Sequence, residues 1–516
     1  QYLSGIRFLM RFKWTVVVLL LLATGGAAWL ITTTKTGLVP QEDMGTISLN
    51  IQVAPGSSLE QTRQIMNEVE NAIKGIPEIY IYSRVTGKNA RHDQSSSAGS
   101  FNIRLREWSE RKGKNQDINS VIKEIYRRTS GISSAQIRAS QQSMISGYGT
   151  GSGFELYVQD RSGVSTDKLL GVTRDFIEAL NARPEISRAY TTFDTKYPQY
   201  MVKVDAVKCL QHGISPSDVL STLAGYVGGS YSSNLNRFTK LYRVMVQASP
   251  DARLDTESLN RMFVRTSDGQ MSPLGNYITL TKVYGSESLS RFNLFPAISV
   301  FGEQGEGYSS GEAIKAIQET ARRYLPSGFG YEFGGMSREE STTSNTTISV
   351  FCICLAFIYL ILCALYESLT IPFAAISAVP FGVAGCFLFA RWWGIENNIY
   401  MQIGLIMLIG LLAKTAILLT EYATARRKEG MSLTDAAFSA ARSRFRPIIM
   451  TSATMIFGML PLMFATGVGA NGNISVGVGT VGGLLFGTLA LLFVVPVFFV
   501  MFQYLHERIT PERKHR

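Results

Sequence analysis

The sequence has little with which to hold a metal, close a disulfide or bind a nucleotide. Its 516 residues include five cysteines and four histidines. Cys352, Cys354, Cys363 and Cys386 sit in apolar runs and Cys209 stands alone in a polar region, so no disulfide framework follows. Cys352-x-Cys354 reads as two small apolar residues in a helix. The histidines are scattered and make no H-E-x-x-H pattern, so no metal site is expected. A G-x-x-x-x-G-K-[ST] loop is absent, and Gly225-Tyr-Val-Gly-Gly-Ser230 resembles one only in its glycines. No cofactor is therefore expected, and any work must draw on an ion gradient or a partner ATPase. A cleaved signal peptide is also excluded, because the apolar run at 14–34 is too long and no A-x-A site ends it. Gln1 in place of a starting Met is read as the mark of a processed or truncated piece of something longer.

What is present is a division of the chain by polarity. Net charge is +11, yet only 17% of residues are charged and 46% are apolar, which is not the balance of one soluble domain. A nucleic-acid partner is not expected, since no basic recognition motif accompanies the charge. Six apolar runs of membrane length lie near 14–34, 346–366, 370–390, 399–421, 446–467 and 474–502. The pattern is one span, a large polar insert, then five spans, with a lipid membrane as the surrounding medium. Arg7, Arg11 and Lys13 precede the first span. Arg426, Arg427, Lys428, Arg442, Arg444 and Arg446 lie between the fourth and fifth, and the tail is basic again. All three clusters fall on one side when six spans are threaded, so that side is cytoplasmic and the insert lies outside, in the periplasm of a bacterial inner membrane.

The insert reads as α+β. A strand at 46–53, helix at 57–74, strands near 78–86 and 100–107, helix at 117–129 and strand at 135–139 give the order βαββαβ, a ferredoxin-like unit. A second unit has a strand at 154–160, helix at 165–182 and strand at 186–193. It resumes with a strand at 296–302, helix at 310–325 and strand at 329–334. Between its halves lies a β-rich excursion, 198–282, with a short helix near 215–225 and a hairpin at Asp268-Gly269.

Lys414 is the residue most in need of explanation. It sits within GLIMLIGLLAKTAILLTEYA, residues 404–423, where an ammonium costs roughly 2.5–3.5 kcal/mol on insertion scales. A partner carboxylate or a transient proton is the functional reading. Glu421, two turns on, reads as a charge snorkelling at the interface. Arg444 is either a cytoplasmic anchor or part of the same device, and Thr451 either bonds its own helix at i−4 or stands level with Lys414 on the antiparallel neighbour. Gly479, Gly483 and Gly487 form a small-xxx-small stripe for close helix packing. The polar stretch Gly87–Ser100 is open to two readings, a solvated hairpin or a gating loop beside a cleft.

The one-plus-five span pattern with its insert resembles the half-repeat of resistance-nodulation-division transporters. The residues that carry the resemblance span nearly the whole chain: Leu38-Val-Pro-Gln-Glu-Asp-Met-Gly45, Trp108, Gly225–Tyr231, Asp268-Gly-Gln-Met271 and YGSESLSRFNLFP at 284–296. Closer still are ALYESLTIPF at 364–373, GLLAKTAILLTEYA at 410–423, RFRPIIMTS at 444–452 and FVVPVFFV at 493–500. The chain looks like the C-terminal half of a member of the hydrophobe/amphiphile efflux branch.

The resemblance implies a proton-driven exporter of amphiphilic small molecules, a secondary transporter rather than an enzyme. It would be the homotrimeric inner-membrane subunit of a three-part pump with a periplasmic adaptor and an outer-membrane channel. The domains implied are a first span with its flanks at 1–42, a porter subdomain at 43–148, a second at 153–196 plus 283–338, and a docking subdomain at 197–282. A five-helix bundle at 341–505 and a basic tail at 506–516 complete the chain. Lys414, Arg444 and Thr451 match relay positions that work against an aspartate pair on the fourth span of the N-terminal half. No span here carries such a pair, so this half is expected to need the other. The gating stretch departs from well-known multidrug members. It lacks their phenylalanines and has Thr86, Gly87, Arg91, Ser97 and Asn102 instead. Tyr80, Tyr82, Phe101, Met144 and Tyr148 are the candidates for a less aromatic pocket. No methionine falls in 86–101, which leaves metal export a weak alternative. Two further readings are a lipid or protein-export transporter of the same superfamily and a non-transporting membrane receptor or scaffold.

Overall fold

The computed structural model describes residues 2–509 apart from 90–93, 114, 143–144, 146–147 and 149–152, and leaves out the side chains of 344–348 and 509. The chain opens with the amphipathic α1 (Tyr2–Arg11) and the apolar α2 (Lys13–Thr33). Strand β1 (Thr46–Val53) buries every second residue, Ile47, Leu49, Ile51 and Val53, as a strand with one face on a core must. Helix α3 (Leu59–Ile73) starts at a capping box of Ser58 and Gln61. Then come β2 (Ile79–Lys88), β3 (Gln94–Leu105), α4 (Ile118–Thr129), capped by Asp117, and β4 (Ala135–Gln141). The strands form one antiparallel sheet of order β2-β3-β1-β4. Met66, Val69 and Ile73 of α3 and Val121 and Ile125 of α4 meet Leu49, Phe101 and Ile103 in its core. Gly99 permits this approach, because a Cβ there would collide with Met66 Sδ.

The gating stretch is more regular than a polar loop. Expected strands at 78–86 and 100–107 are instead one long hairpin, in which Thr86 faces Gly99 and Lys88 faces Gln94. Polar composition did not prevent pairing, since the backbone ladder supplies the hydrogen bonds and the serines are small enough to sit half-buried, as Ser95 and Ser96 do, or buried, as Ser97 and Ser100 do.

Asp43, between α2 and β1, fastens this sheet. Its carboxylate accepts from Arg111 Nη1 at 2.9 Å, from the Ile118 amide at 3.1 Å and from the Gly45 amide at 2.8 Å. Both side chains are buried, so the charges satisfy each other away from water.

A second sheet begins with β5 (Phe154–Asp160), α5 (Thr166–Asn181) and β6 (Ile186–Tyr190). Residues 193–288, with 54–57, form a separate compact unit. It holds β7 (Tyr197–Val204), α6 (Ala206–Gln211), α7 (Pro216–Gly228), β8 (Ser230–Arg237) and β9 (Lys240–Val246). Strands β10 (Phe263–Arg265), β11 (Met271–Pro273) and β12 (Ile278–Gly285) complete it. The glycine-rich stretch at 225–230 is the end of α7, terminated by Gly229 at φ +85°. The β8–β9 hairpin is exposed throughout, including Tyr231, Leu235, Phe238, Leu241 and Met245.

The larger unit then resumes. Strands β13 (Ser290–Phe292) and β14 (Phe295–Gln304), helix α8 (Ser310–Tyr324) and β15 (Phe329–Phe333) complete the second sheet in the order β13-β14-β5-β15, with β6 on β14.

Helix α9 (Gly335–Tyr366) runs without a break from this sheet into the apolar helices. The Glu155 amide donates to Ser337 Oγ at 3.2 Å, which seats its first turn on β5. After it come α10 (Pro372–Ile376), α11 (Val379–Trp393), α12 (Ile399–Lys428), α13 (Leu433–Met463), α14 (Ala470–Phe493) and α15 (Val495–Ile509). Six helical segments are long and apolar enough to cross a membrane. Several boundaries differ from expectation: the helix of the second run already starts at Gly335, and the third run divides into α10 and α11. The fifth helix starts at Leu433, capped by Ser432, because an alanine-rich amphipathic stretch precedes the apolar run. The sixth run divides at Val494, with Pro496 in the first turn of α15, where its missing amide is tolerated.

The bundle is assembled around α14. Gly479, Gly483 and Gly487 bring its backbone against α11 and α12, and a Cβ on Gly483 would collide with Leu408 Cδ2 and stand 3.0 Å from the Gly382 carbonyl oxygen. In an apolar solvent such contacts replace the hydrophobic effect as the source of helix association. Gly483→Leu is expected to lower stability by about 1–3 kcal/mol, read as a fall in thermal midpoint in detergent, because overpacking forces the backbones apart. An unchanged midpoint would mean that α14 is not held by this face.

Candidate functional site

Lys414 lies on α12 between residues that face the bundle interior: Leu412, Ala413, Thr415 and Ala416 are buried, while Lys414 itself is exposed. Among the described residues it makes no hydrogen bond or ion pair. Its ammonium is thus presented on the outer surface of an apolar helix bundle. Thr451, on the neighbouring α13, is half-buried, and its hydroxyl donates to the carbonyls of Pro447 and Ile448, both at 3.0 Å. That is the local i−4 arrangement. The next residue, Ser452, faces α14 and accepts from Thr488 Oγ1 at 3.0 Å.

Arg444 reaches α12 through an aromatic ring. Its Cζ lies 5.0 Å from the centre of the Tyr422 ring, and Arg426 Nη2 donates to the Tyr422 hydroxyl at 2.8 Å. Arg444 Nε is buried and has no acceptor among the described residues. No hydrogen bond among the described residues joins Lys414, Arg444 and Thr451 directly. At the same end Arg427 makes a two-pronged pair with Glu507, both contacts 2.8 Å, tying α12 to α15.

Two cationic groups in this part are therefore under-satisfied. An exposed ammonium in hydrocarbon costs roughly 2.5–3.5 kcal/mol. A buried donor left unpaired costs about 1–3 kcal/mol. Carboxylates set against this face would relieve both, and protonating them would undo the relief. Such a pairing would behave as an electrostatic switch.

The pocket candidates divide. Tyr80 is exposed, Tyr148 is at the surface, and Thr86 and Gly87 are half-buried. Gly87 has φ +86°, and a Cβ there would lie 3.0 Å from Leu59 Cδ1. The Tyr82 hydroxyl donates to Glu70 Oε1 at 3.0 Å, and Arg84 holds the other carboxylate oxygen at 2.7 Å. Ser97 and Phe101 are fully buried. Ser97 accepts from Gln52 Nε2 of β1 at 3.2 Å, and the alternation of β3 places Phe101 in the core with α3 and α4 rather than on a pocket wall. Asn102 is on the opposite, exposed face. Arg91 and Met144 lie outside the described residues.

A third location was not among the sequence candidates, although the stretch at 38–45 lines it with Val39, Pro40, Gln41 and Glu42. A cavity of about 500 Å³ lies where the second sheet meets the apolar helices, with Glu42, Glu340, Glu396, Met336 and Trp393 among its lining residues. Ser310 Oγ donates to Glu340 Oε1 at 2.7 Å. Burial pushes the Glu340 carboxyl up to about 7; hydrogen bonds from Ser310 and the Leu38 amide oppose the rise, and the Glu396 charge adds to it. Burial also raises Glu396, with Lys35 opposing and Glu312 adding. Glu42 accepts from the Gly472 amide at 2.8 Å. Neither glutamate carried a signal in the sequence, since Glu340 precedes a polar stretch and Glu396 lies in the connection between two apolar helices.

A family model described as the AcrB/AcrD/AcrF family matches residues 1–503. The chain is 32% identical over 514 residues to the multidrug/solvent efflux pump membrane transporter MepB of Pseudomonas putida, covering 99% of the chain and 49% of that protein. It is 32% identical over 511 residues to the multidrug resistance protein MdtF of Escherichia coli, covering 98% and 49%. It is 30% identical over 511 residues to the toluene efflux pump membrane transporter TtgE of Pseudomonas putida, again covering 98% and 49%. The chain thus spans about half the length of the curated relatives it matches.

The under-satisfied Arg444 gives a test on this chain by itself. Arg444→Met is expected to leave thermal stability unchanged or raise it, since it removes an unpaired buried donor. Arg427→Met breaks a part-exposed ion pair and is expected to cost about 1 kcal/mol. A larger loss from Arg444→Met would show that its contact with Tyr422 outweighs the unpaired nitrogen.

Proposed function

The chain belongs to the AcrB/AcrD/AcrF family of resistance-nodulation-division efflux transporters, and from that premise we propose that it is the C-terminal half of a proton-driven exporter of amphiphilic small molecules. The observation that carries this reading is the outward-facing, unpaired Lys414 in an apolar helix. A bundle complete in itself would not leave an ammonium there. The N-terminal half supplies an acidic pair on its fourth span, placed against Lys414 and Arg444.

The mechanism follows from the charges. With both carboxylates ionised, Lys414 is drawn to them and the two half-bundles are held in one relation. A proton from the periplasm neutralises a carboxylate, weakens that attraction and frees Lys414 to turn. Thr451 holds a hydroxyl on the adjacent helix that can exchange its intrahelical bond for one to the freed group. The resulting tilt passes through α9, an unbroken helix whose first turn is seated on the second sheet. That sheet and the first form the two porter subdomains, with the cleft between them admitting substrate and the surface around Tyr80, Thr86, Gly87 and Tyr148 shaping which compounds are taken.

The exposed apolar β8–β9 hairpin supports assembly beyond a single chain. We assign it to the homotrimer of a three-part pump, with a periplasmic adaptor and an outer-membrane channel. The whole is a multi-pass protein of the bacterial inner membrane with its sheets in the periplasm.

In cells carrying both halves, Lys414→Met is expected to abolish proton-coupled efflux, raising accumulation of a fluorescent amphiphile to the level of a strain lacking the transporter. Accumulation equal to wild type would sink the relay. Thr86→Phe is expected to change the order of preferred compounds while leaving proton uptake per compound exported intact, and a general loss of transport would assign that hairpin a structural role instead.

A further inference from the structure

The segment joining α2 to β1 is a strap stitched on two sides. On one side it pairs with the connection before α12: the Asn397 amide donates to the Lys35 carbonyl at 2.8 Å, Gly37 to the Asn397 carbonyl at 3.2 Å, and Ile399 to the Leu38 carbonyl at 3.1 Å. On the other side it holds the start of α8, where the Gly311 amide donates to the Thr36 carbonyl at 3.1 Å and Lys35 Nζ donates to the Gly307 carbonyl. The strap therefore links the apolar helices to the second sheet independently of α9.

Glu340 and Glu396 both line the cavity and both touch this strap, Glu340 at the Leu38 amide and Glu396 at Gly37. Glu340 is on α9 and is held by Ser310 of α8. Glu396 comes from the connection between α11 and α12. A Cβ on Gly37 would stand 2.6 Å from Glu396 Oε2 and 3.3 Å from Ser310 Oγ, so a side chain there would displace the Glu396 carboxylate from its present place against the strap. The charged groups facing them are Lys35 on the strap, Glu312 on α8 and Glu42 on the cavity wall. Carboxylates thus outnumber the single ammonium, and that ammonium is engaged by a backbone carbonyl.

We propose that Glu340 and Glu396 form a proton-operated latch at this junction, closed when the pair carries a proton and loosened when both carboxylates are charged. The reason is electrostatic. One proton removes the repulsion between two part-buried carboxylates and lets the walls of the cavity meet the strap. Without it, solvation of the second charge favours a wetter, opened junction. The latch responds to acidity on the side where the sheets lie. It is separate from Lys414 and goes beyond the proposed transport cycle, so it stands whether or not that cycle does.

The sign of the effect is fixed by the raised carboxyl. Closure binds a proton more tightly than the opened state, whose carboxyls sit at ordinary values near about 4.3. Opening is therefore eased as pH climbs from that value toward 7 and levels off above it.

Hydrogen exchange of the strap amides, Gly37, Asn397 and Gly311, measured on the intact membrane-inserted protein from pH 5 to 8 and corrected for intrinsic exchange, reads this directly. In the wild type the opening constant should rise up to about tenfold per pH unit between 5 and 7 and flatten above 7. Glu340→Gln should flatten the whole profile near its low-pH level, and Glu396→Gln should move the plateau to lower pH. Amides outside the junction, such as those of β1, should keep their profile in both variants. A wild-type opening constant independent of pH, or a Glu340→Gln profile like the wild type's, would overturn the latch. An unmoved plateau in Glu396→Gln would overturn the pairing.

Discussion

Close approach of α14 to its neighbours is the contact on which the helical part depends. Three glycines at four-residue spacing remove the side chains that would keep backbones apart, and Leu408 and Leu412 of α12 fill the space gained. Helix association in an apolar medium rests on such packing. Once α14 is buried at the centre, the arrangement of everything else follows. α12 shows one face to α14 and the other outward, and α9 and α13 are left mostly uncovered. Lys414 lies on the uncovered face for that reason, not because the bundle tolerates charge.

Packing and function meet in the cost of that exposure. An unpaired ammonium and an unpaired guanidinium nitrogen together cost a few kcal/mol, comparable to a substantial part of a domain's net stability. An acidic surface set against these helices, as in the proposed function, would offset that deficit and make it sensitive to the surface's protonation. The second sheet is joined to the apolar helices by two connections of different character: α9 is an unbroken helix, while the strap at Lys35–Leu38 is a short run of backbone pairing flanked by carboxylates. Under the proposed transport cycle and latch, these would be separate routes to the second sheet.

Much of the site was open to sequence reasoning where one dominant energy was involved. Lys414 announced itself because few forces outweigh charge burial in an apolar run. Thr451 did not, since a hydroxyl satisfied by its own helix and one waiting for a partner have the same sequence. Phe101 was expected at a pocket and belongs to a core, because its strand extends six residues further toward the turn than polarity suggested and its facing is set by alternation along that strand. Glu340 and Glu396 went unnoticed because 56 positions separate them and each alone looks like an ordinary polar residue outside the apolar runs.

Composition and periodicity by themselves determined the six apolar helices, the polar insert, the side on which the basic residues gather and the order of strands and helices in the sheets. These follow from local rules: burial length, alternation, capping and the exclusion of charge from hydrocarbon. Tertiary structure alone decided that β13 joins the second sheet, that Lys414 faces outward, and that Glu396 packs on Gly37 beside the Ser310 that holds Glu340. The reason is that facing and pairing depend on which neighbour buries which surface. In the stretch Gly404–Ala423 the charge was written in the sequence, and its lack of a partner was written in the packing.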